Sequence, residues 1–211
     1  MRQGGPFGYQ IFERGVLYDG PDGVHPVVGT FDAEHRARGG GGGSLGYPLG
    51  PVSMRGAGNQ CQSFERGHLV RLSDQWIVSP HGSWFLAPAL AELRTQINQA
   101  FPGRDKTTDG TVGDLAHQAR VSDHNPDRTA CGVVRAFDID KDLRTGDPQV
   151  LAEALTKDPR VAYVIFRSRI YLRTAGAWRP YTGSNPHDSH IHVSLRHGVA
   201  YDHAVGSWAL S

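Results

Sequence analysis

The run Asn185-Pro186-His187-Asp188-Ser189-His190-Ile191-His192-Val193-Ser194-Leu195 alternates polar and apolar residues from His190 onward, the pattern of a half-buried strand. Successive strand side chains point to opposite faces, so His190 and His192 share one face while Ile191 and Val193 enter the core. Two imidazoles side by side on an apolar strand suit a metal and a catalytic base, although a lone pair is more simply two partly exposed histidines. A second cluster upstream shifts that balance: Ser122-Asp123-His124, followed by Val133-Val134-Arg135-Ala136-Phe137-Asp138-Ile139-Asp140. Together the clusters supply the two-histidine, one-carboxylate set of a catalytic zinc, with a fourth position open for water. Val134, Ala136, Asp138 and Asp140 share a face of the upstream strand, so the pattern leaves the carboxylate ligand open between Asp138 and Asp140.

At 211 residues the chain has room for one ordinary domain plus a smaller module. Its 27 glycines point to many turns rather than long helices. A formal charge of +1 provides no long-range pull toward nucleic acid or an anionic membrane. No apolar run approaches the ~18 residues of a membrane span. The opening Met1-Arg2-Gln3-Gly4-Gly5-Pro6 lacks the apolar centre of a signal peptide. Cys61 and Cys131 fall in separate expected domains without metal spacing, so two free thiols are expected.

Gln10-Ile11-Phe12-Glu13-Arg14-Gly15 recurs as Gln62-Ser63-Phe64-Glu65-Arg66-Gly67, and a strand-like run follows each copy. Self-similarity at a fixed offset suggests stacked copies of one small unit. Between the copies, Arg38-Gly39-Gly40-Gly41-Gly42-Gly43-Ser44 reads as a flexible loop or linker, and Leu45-Gly46-Tyr47-Pro48 follows it. Leu-Gly-aromatic-Pro, then Gln-x-Phe-Glu-x-Gly, then a strand and the Gly-rich turn Asp19–Gly23 resemble the LGFP repeat of actinobacterial cell-wall proteins, over about residues 4 to 79. The first copy lacks its own Leu-Gly-aromatic-Pro. The resemblance implies a wall-binding module; without it, the same residues read as β-hairpins with no ligand.

The turn-forming cluster Ser79-Pro80-His81-Gly82 marks a boundary, giving a β-rich module over 1–80 and a second domain over 81–211. A helix follows, with Pro88 in its first turn, Pro102 ending it, and Leu90, Leu93, Ile97 and Phe101 forming a core stripe. Asp147-Pro148 opens a second helix reaching about Lys157, with Leu151 and Leu155 on one face. Strands are expected at 161–166 and 169–172, joined tightly at Arg167-Ser168. Helices and strands without βαβ alternation indicate an α+β class: a small antiparallel sheet with flanking helices carrying the zinc site, preceded by the β-rich module.

Ser-x-His, Gly-x-x-x-Ala-x-Asp and a terminal His-x-His resemble the zinc peptidases that include D-Ala-D-Ala carboxypeptidases and peptidoglycan endopeptidases of the lysostaphin-like group. Asp109–Asp114, His117–Arg120, Ser122–Pro126 and Trp178–Gly183 resemble endolysin domains of actinobacterial phages, so the likeness spans roughly residues 84 to 196. It implies zinc held by His124, Asp138 and His192, with His190 as general base. His124 and Asp138 stand fourteen positions apart, double the family's usual gap, because Asp127–Cys131 are inserted.

In that chemistry zinc lowers the pKa of its water toward ~7 and His190 exchanges the proton. Arg120, just ahead of Ser-x-His, is the candidate cation for the developing oxyanion, or else a surface ion pair or a partner of Asp123. Asp188 or His187 is the candidate for holding His190 in one tautomer, and His117 is expected to be structural. The resulting expectation is a monomeric zinc peptidase acting on peptidoglycan, with attached wall polysaccharide as a further ligand and no nucleic-acid or membrane partner. It is expected to be made in the host cytoplasm and to act on the wall after release. Two other readings retain the zinc: a carboxypeptidase trimming terminal D-Ala, and an inactive wall-binding protein. A closed four-ligand site would favour the latter, and His190 beside His192 argues against it.

Overall fold

The computed structural model describes residues 7–56, 59–72, 75–79, 83–114, 117 and 120–211. The chain divides into two compact units, Met1–Phe85 with Pro126–Val133, and Leu86–Asn125 with Val134–Ser211. The first unit carries the internal repeat in its backbone. Strands β1 (Tyr9–Phe12), β2 (Gly15–Gly20) and β3 (Gly23–Val28) form one antiparallel meander. Helix α1 (Gly29–Ala37) follows, and then β4 (Ser53–Gly56), β5 (Asn59–Phe64), β6 (Gly67–Leu72) and β7 (Gln75–Ser79) form a four-stranded sheet in that order.

The two copies pair in the same register. Gln10 faces Leu17 and Phe12 faces Gly15 in the first copy, as Gln62 faces Leu69 and Phe64 faces Gly67 in the second. Leu17 opposite Pro26 likewise matches Leu69 opposite Val78. Each turn is Glu-Arg, closed by a glycine at φ +155° (Gly15) or +153° (Gly67). A side chain there would meet a neighbouring carbonyl, Val27 O at 2.3 Å or Ser79 O at 2.8 Å, so both copies require glycine.

The copies stack through opposite faces. Val16, Tyr18 and Val27 of the first meander pack with Phe64 and Leu69 of the second, and Phe31, Leu45 and Tyr47 complete the core. The other face of the second meander, Cys61 and Val70, is covered by Cys131 and Phe85.

Two expectations are corrected here. The poly-Gly run is neither a linker nor an open loop: Gly40–Gly42 form a 3-10 turn, with Gly43 N–H bonded to Gly40 O and Ser44 N–H to Arg38 O. Lacking side chains, these glycines let the backbone lie against the Tyr47 ring, which a Cβ on Gly41 would approach to 2.9 Å. Nor are the cysteines free, because Cys61 and Cys131 form a disulfide across 70 residues. They share a unit because the 126–133 segment belongs to the first one, where Ser63 Oγ accepts the Cys131 N–H at 2.9 Å. Sequence distance had hidden that contact. Of the expected boundary, residues 80–82 lie outside the described residues; in the structure the first unit continues to Phe85.

The second unit holds α2 (Pro88–Ala100), β8 (Ala136–Asp140), α3 (Pro148–Lys157), β9 (Val161–Phe166), β10 (Arg169–Leu172), β11 (Ala177–Pro180), β12 (His190–Leu195) and α4 (Val199–Asp202). The five strands make one antiparallel sheet in the order β8-β12-β9-β10-β11. Leu90, Leu93 and Ile97 bury one stripe of α2, while Phe101 caps the helix half-buried. Asp147 caps α3 by accepting Gln149 N–H at 2.8 Å, with Pro148 at the first turn and Leu151 and Leu155 buried. Arg167 and Ser168 both take positive φ, 49° and 56°, as a two-residue turn between right-twisted strands demands.

The expected Val133–Asp140 strand is broken at Arg135, and Val133–Val134 is a separate short piece. Arg135 N–H turns to Asp123 O, while its buried guanidinium pairs with both oxygens of Asp202 at 2.8 Å. The α+β expectation holds at the level of small antiparallel sheets with flanking helices. Among the described residues, no helix is long and apolar enough to cross a membrane.

Candidate metal centre

Antiparallel register builds most of the site. Pairing of β8 with β12 sets Asp138 opposite His192 and Asp140 opposite His190, so all four side chains rise from one face of the sheet. His124 arrives from a loop tied down by its own polar residues. Asn125 Nδ2 donates to His117 O and Arg120 O, both at 2.8 Å, and Gly113 N–H donates to His124 O at 2.9 Å.

The three side chains converge. His124 Nε2 lies 3.2 Å from Asp138 Oδ1 and 3.1 Å from His192 Nδ1, and the latter two are 2.9 Å apart. They form a group whose donor atoms could hold one metal ion. A tetrahedral ion with bonds of about 2.0–2.1 Å separates its ligand atoms by about 3.3 Å, so the triangle fits with only a small expansion. Tautomers agree with this fit. His124 Nδ1–H donates to the Thr111 carbonyl, which leaves the lone pair of the neutral ring on Nε2, facing the group. His192 Nε2 meets Ser194 Oγ at 2.9 Å, a hydroxyl able to accept that N–H while Nδ1 faces the group.

Burial raises the energy of the Asp138 carboxylate, yet when the two imidazoles are protonated their hydrogen bonds and charges outweigh it and hold its pKa far below the usual range. Burial likewise opposes charging of His124, and the bond and charge of Asp138 reverse the sign, leaving its pKa raised. The choice between carboxylates resolves through their partners. Asp140 Oδ2 accepts the N–H and hydroxyl of Thr108 at 3.0 and 2.7 Å, and its Oδ1 accepts Asp142 N–H at 2.9 Å. Asp140 therefore holds loops, and Asp138 joins the histidines. Gly110 backs Asp138 closely, exchanging two backbone hydrogen bonds with it.

His190 borders the group, its Nε2 3.7 Å from Asp138 Oδ2 and its Nδ1 3.0 Å from Ser189 Oγ. Burial pushes its pKa down, partly opposed by the Asp138 charge. His187 stands edge-on to His190 and His192 with ring centres at 5.0 and 5.4 Å, and its Nδ1–H donates to Asn185 O. Burial, then the neighbouring imidazoles, lower the pKa of His187 to about 4.

The remaining expected residues lie further out. Asp188 is exposed, and Lys141 Nζ bonds its backbone carbonyl; among the described residues its carboxylate makes no contact with His190. Arg120 is exposed on a bend, with no ion pair to the group among the described residues. His117 pairs with Asp114 at 2.8 Å and meets the His124 ring edge-on at 5.5 Å.

Several contributing residues carried no sequence signal. Tyr163 stacks on His192 with ring centres 5.4 Å apart, and its hydroxyl donates to Asp123 Oδ2 at 2.9 Å. Burial, then the charge of Asp123, raise the Tyr163 pKa. His197 Nε2 meets the other Asp123 oxygen at 2.8 Å. Ser194 could have been found, since it stands two residues beyond His192 on the same strand face. Thr111 acts through its backbone carbonyl, which no side-chain pattern reveals. Neither protein-family models nor curated proteins give a match to this chain.

Proposed function

We propose that the second unit is a zinc-dependent peptidase of the lysostaphin-like kind, cleaving an amide bond in the stem peptide or cross-link of bacterial peptidoglycan. The first unit, in this reading, holds the enzyme to the wall through LGFP-like repeats. The observation that carries the proposal is the convergence of His124 Nε2, Asp138 Oδ1 and His192 Nδ1 with a further histidine, His190, at the rim. Three protein ligands with a titratable neighbour are the pattern of a catalytic rather than a structural zinc site.

His124, Asp138 and His192 would hold the ion, which when bound supplies Lewis acidity toward water and the scissile carbonyl. The chain's own groups do the rest. Thr111 and Ser194 fix the two ligand rings by taking their outer N–H groups. Ser189 Oγ engages His190 at Nδ1, leaving Nε2, on the Asp138 side, as the atom that takes and returns a proton. A neutral imidazole suits that role, and burial favours the neutral form of His190.

The test joins metal content to chemistry. The purified protein is expected to carry one zinc per chain by elemental analysis and to release new termini from defined muropeptides in a chelator-sensitive manner. His124→Ala and His192→Ala should lose both metal and cleavage, since a ligand set cut to two binds far more weakly. Stoichiometric zinc in both variants, or cleavage that survives chelation, would overturn the assignment.

A further inference from the structure

The two repeats share a register but not a covering. In the second copy, the outer edge of β5 and its turn is occupied by the segment from Leu45 to Gly50. Arg66 N–H donates to Leu45 O at 3.1 Å, Glu65 N–H to Tyr47 O at 3.0 Å, and Leu49 N–H to Ser63 O at 2.9 Å. Glu65 Oε2 accepts Tyr47 N–H at 2.8 Å, and the Gln62 amide reaches Gly50 O at 2.9 Å and Pro26 O at 2.7 Å. Pro48 bridges to Phe64, whose ring stacks under His35 at 4.5 Å. This Leu-Gly-Tyr-Pro-Leu-Gly run is thus read largely through its main chain.

The first copy presents the same groups at the same register, and among the described residues no such segment lies along them. Gln10, Glu13 and Arg14 stand where Gln62, Glu65 and Arg66 stand, and all three are exposed. Phe12 is 48% exposed against 0% for Phe64. Ile11, in the place of Ser63, is 59% exposed. β1 is the edge of its sheet, whereas β5 is covered by β4. A groove of about 720 Å³ extends from this strand across the meander, lined in part by Tyr9 and Gln10 of β1, Leu17 of β2 and Val24 of β3. Among the described residues no main-chain group fills the positions equivalent to Leu45, Tyr47 and Leu49.

We infer that this edge is a docking strip for an extended Leu-Gly-aromatic-Pro segment of a partner protein. The second copy states the chemistry of the occupant: outward N–H and C=O groups of a strand edge, a carboxylate and a primary amide all aimed at peptide main chain, with an aromatic ring packed in the same core as the leucine and tyrosine of the run. Strand addition of this type draws affinity from the backbone and selectivity from the side-chain seats. A second copy of this chain is a poor occupant. Its single Leu-Gly-aromatic-Pro run, Leu45–Pro48, is already bound to its own Glu65 and Arg66. The inference rests on the repeat alone and stands apart from the peptidase proposal.

The experiment titrates the ¹⁵N-labelled full chain with the synthetic peptide Ser-Leu-Gly-Tyr-Pro-Leu-Gly-Pro-Val, copied from residues 44–52, and follows amide shifts. Saturable one-to-one binding is expected, with a Kd of about 1 mM or tighter, and with shifts centred on Ile11, Glu13 and Arg14. Phe12→Ala and Gln10→Ala should each weaken it about tenfold or more. Both residues are exposed, so both variants should fold, and an unchanged spectrum elsewhere verifies this. A scrambled peptide should not saturate. No saturable binding to the intact chain, equal binding by both variants, or shifts confined to the Glu65 seat would overturn the inference. So would concentration-dependent self-association, or wall polysaccharide shifting the same amides when the peptide does not.

Discussion

His190 and His192 sit two residues apart on one strand face but meet the metal group through different ring nitrogens. His192 turns Nδ1 inward, 2.9 Å from Asp138 Oδ1, whereas His190 brings Nε2 to 3.7 Å from Asp138 Oδ2. Under the proposed function the inner histidine ligates and the outer one moves protons, so substitution should separate the two roles. His190→Ala is expected to keep its zinc and lose turnover by about 10²–10⁴-fold, the usual contribution of a general acid–base. Paired elemental analysis and muropeptide kinetics check this, and normal turnover would move the proton carrier to another group, with His187 the nearest imidazole. Gly110 offers a test from behind the carboxylate. A Cβ there would stand 3.0 Å from Asp138 Oδ2, closer than ordinary contact, so the carboxylate must give way. Gly110→Ala should weaken zinc binding by about 10–100-fold, as changes to groups supporting a ligand commonly do, with little loss of folding. Competition against a fluorescent chelator measures it, and unaltered affinity would show that the carboxylate yields freely.

Elements that depend on neighbouring residues were legible in the sequence. The alternation from His190 to Leu195, the Asp147-Pro148 start of α3 and the Arg167-Ser168 turn are set by side-chain period, capping and turn geometry within a few residues. The repeat was legible too, and its copies share one register. Misreadings arose where distant residues decide. Five glycines read alone suggest slack, but Gly41 closes on the Tyr47 ring and Gly43 on the Arg38 carbonyl. Cys131 has no local feature that sends it to Cys61; only the return of residues 126–133 to the first unit does so. Strand alternation alone left Asp138 and Asp140 open and the resemblance pointed to Asp138; the structure adds the physical reason, since Thr108 and Asp142 occupy Asp140. The disulfide closes a long loop around a small β-rich core, so Cys61→Ser with Cys131→Ser should lower stability of the first unit by roughly 2–4 kcal/mol. Denaturant titration of oxidised protein and the double variant checks it, and coincident midpoints would mean that packing around Val70 and Phe85 suffices.

At the scale of the whole molecule, the chain enters the second unit after Phe85, leaves it at Pro126, and returns after Val133. This excursion lies between two of the proposed ligands, His124 and Asp138. It also changes how the units should be separated. A cut near residue 80 would strip Cys131 of Cys61 and leave the 126–133 segment without Val70, against which it is buried. The excursion has narrow stems, because Asp127 pairs with Val133 and Arg135 N–H bonds Asp123 O at 3.0 Å, so a two-residue turn can replace residues 128–132. The expected outcome is that residues 86–211 with this replacement bind zinc and cleave soluble muropeptides at nearly the full-length rate. A plain fragment beginning at residue 81 should show a reactive thiol and a lower yield of folded protein. On intact walls the full chain should act far faster than either fragment, because binding through a second module raises the local concentration of the first. Turbidity clearing and soluble-peptide kinetics measured side by side check both parts. Equal clearing by the shortened and full chains would remove the targeting role of the repeats. Loss of soluble-peptide cleavage in the loop-replaced fragment alone would instead show that residues 128–132 serve the centre itself.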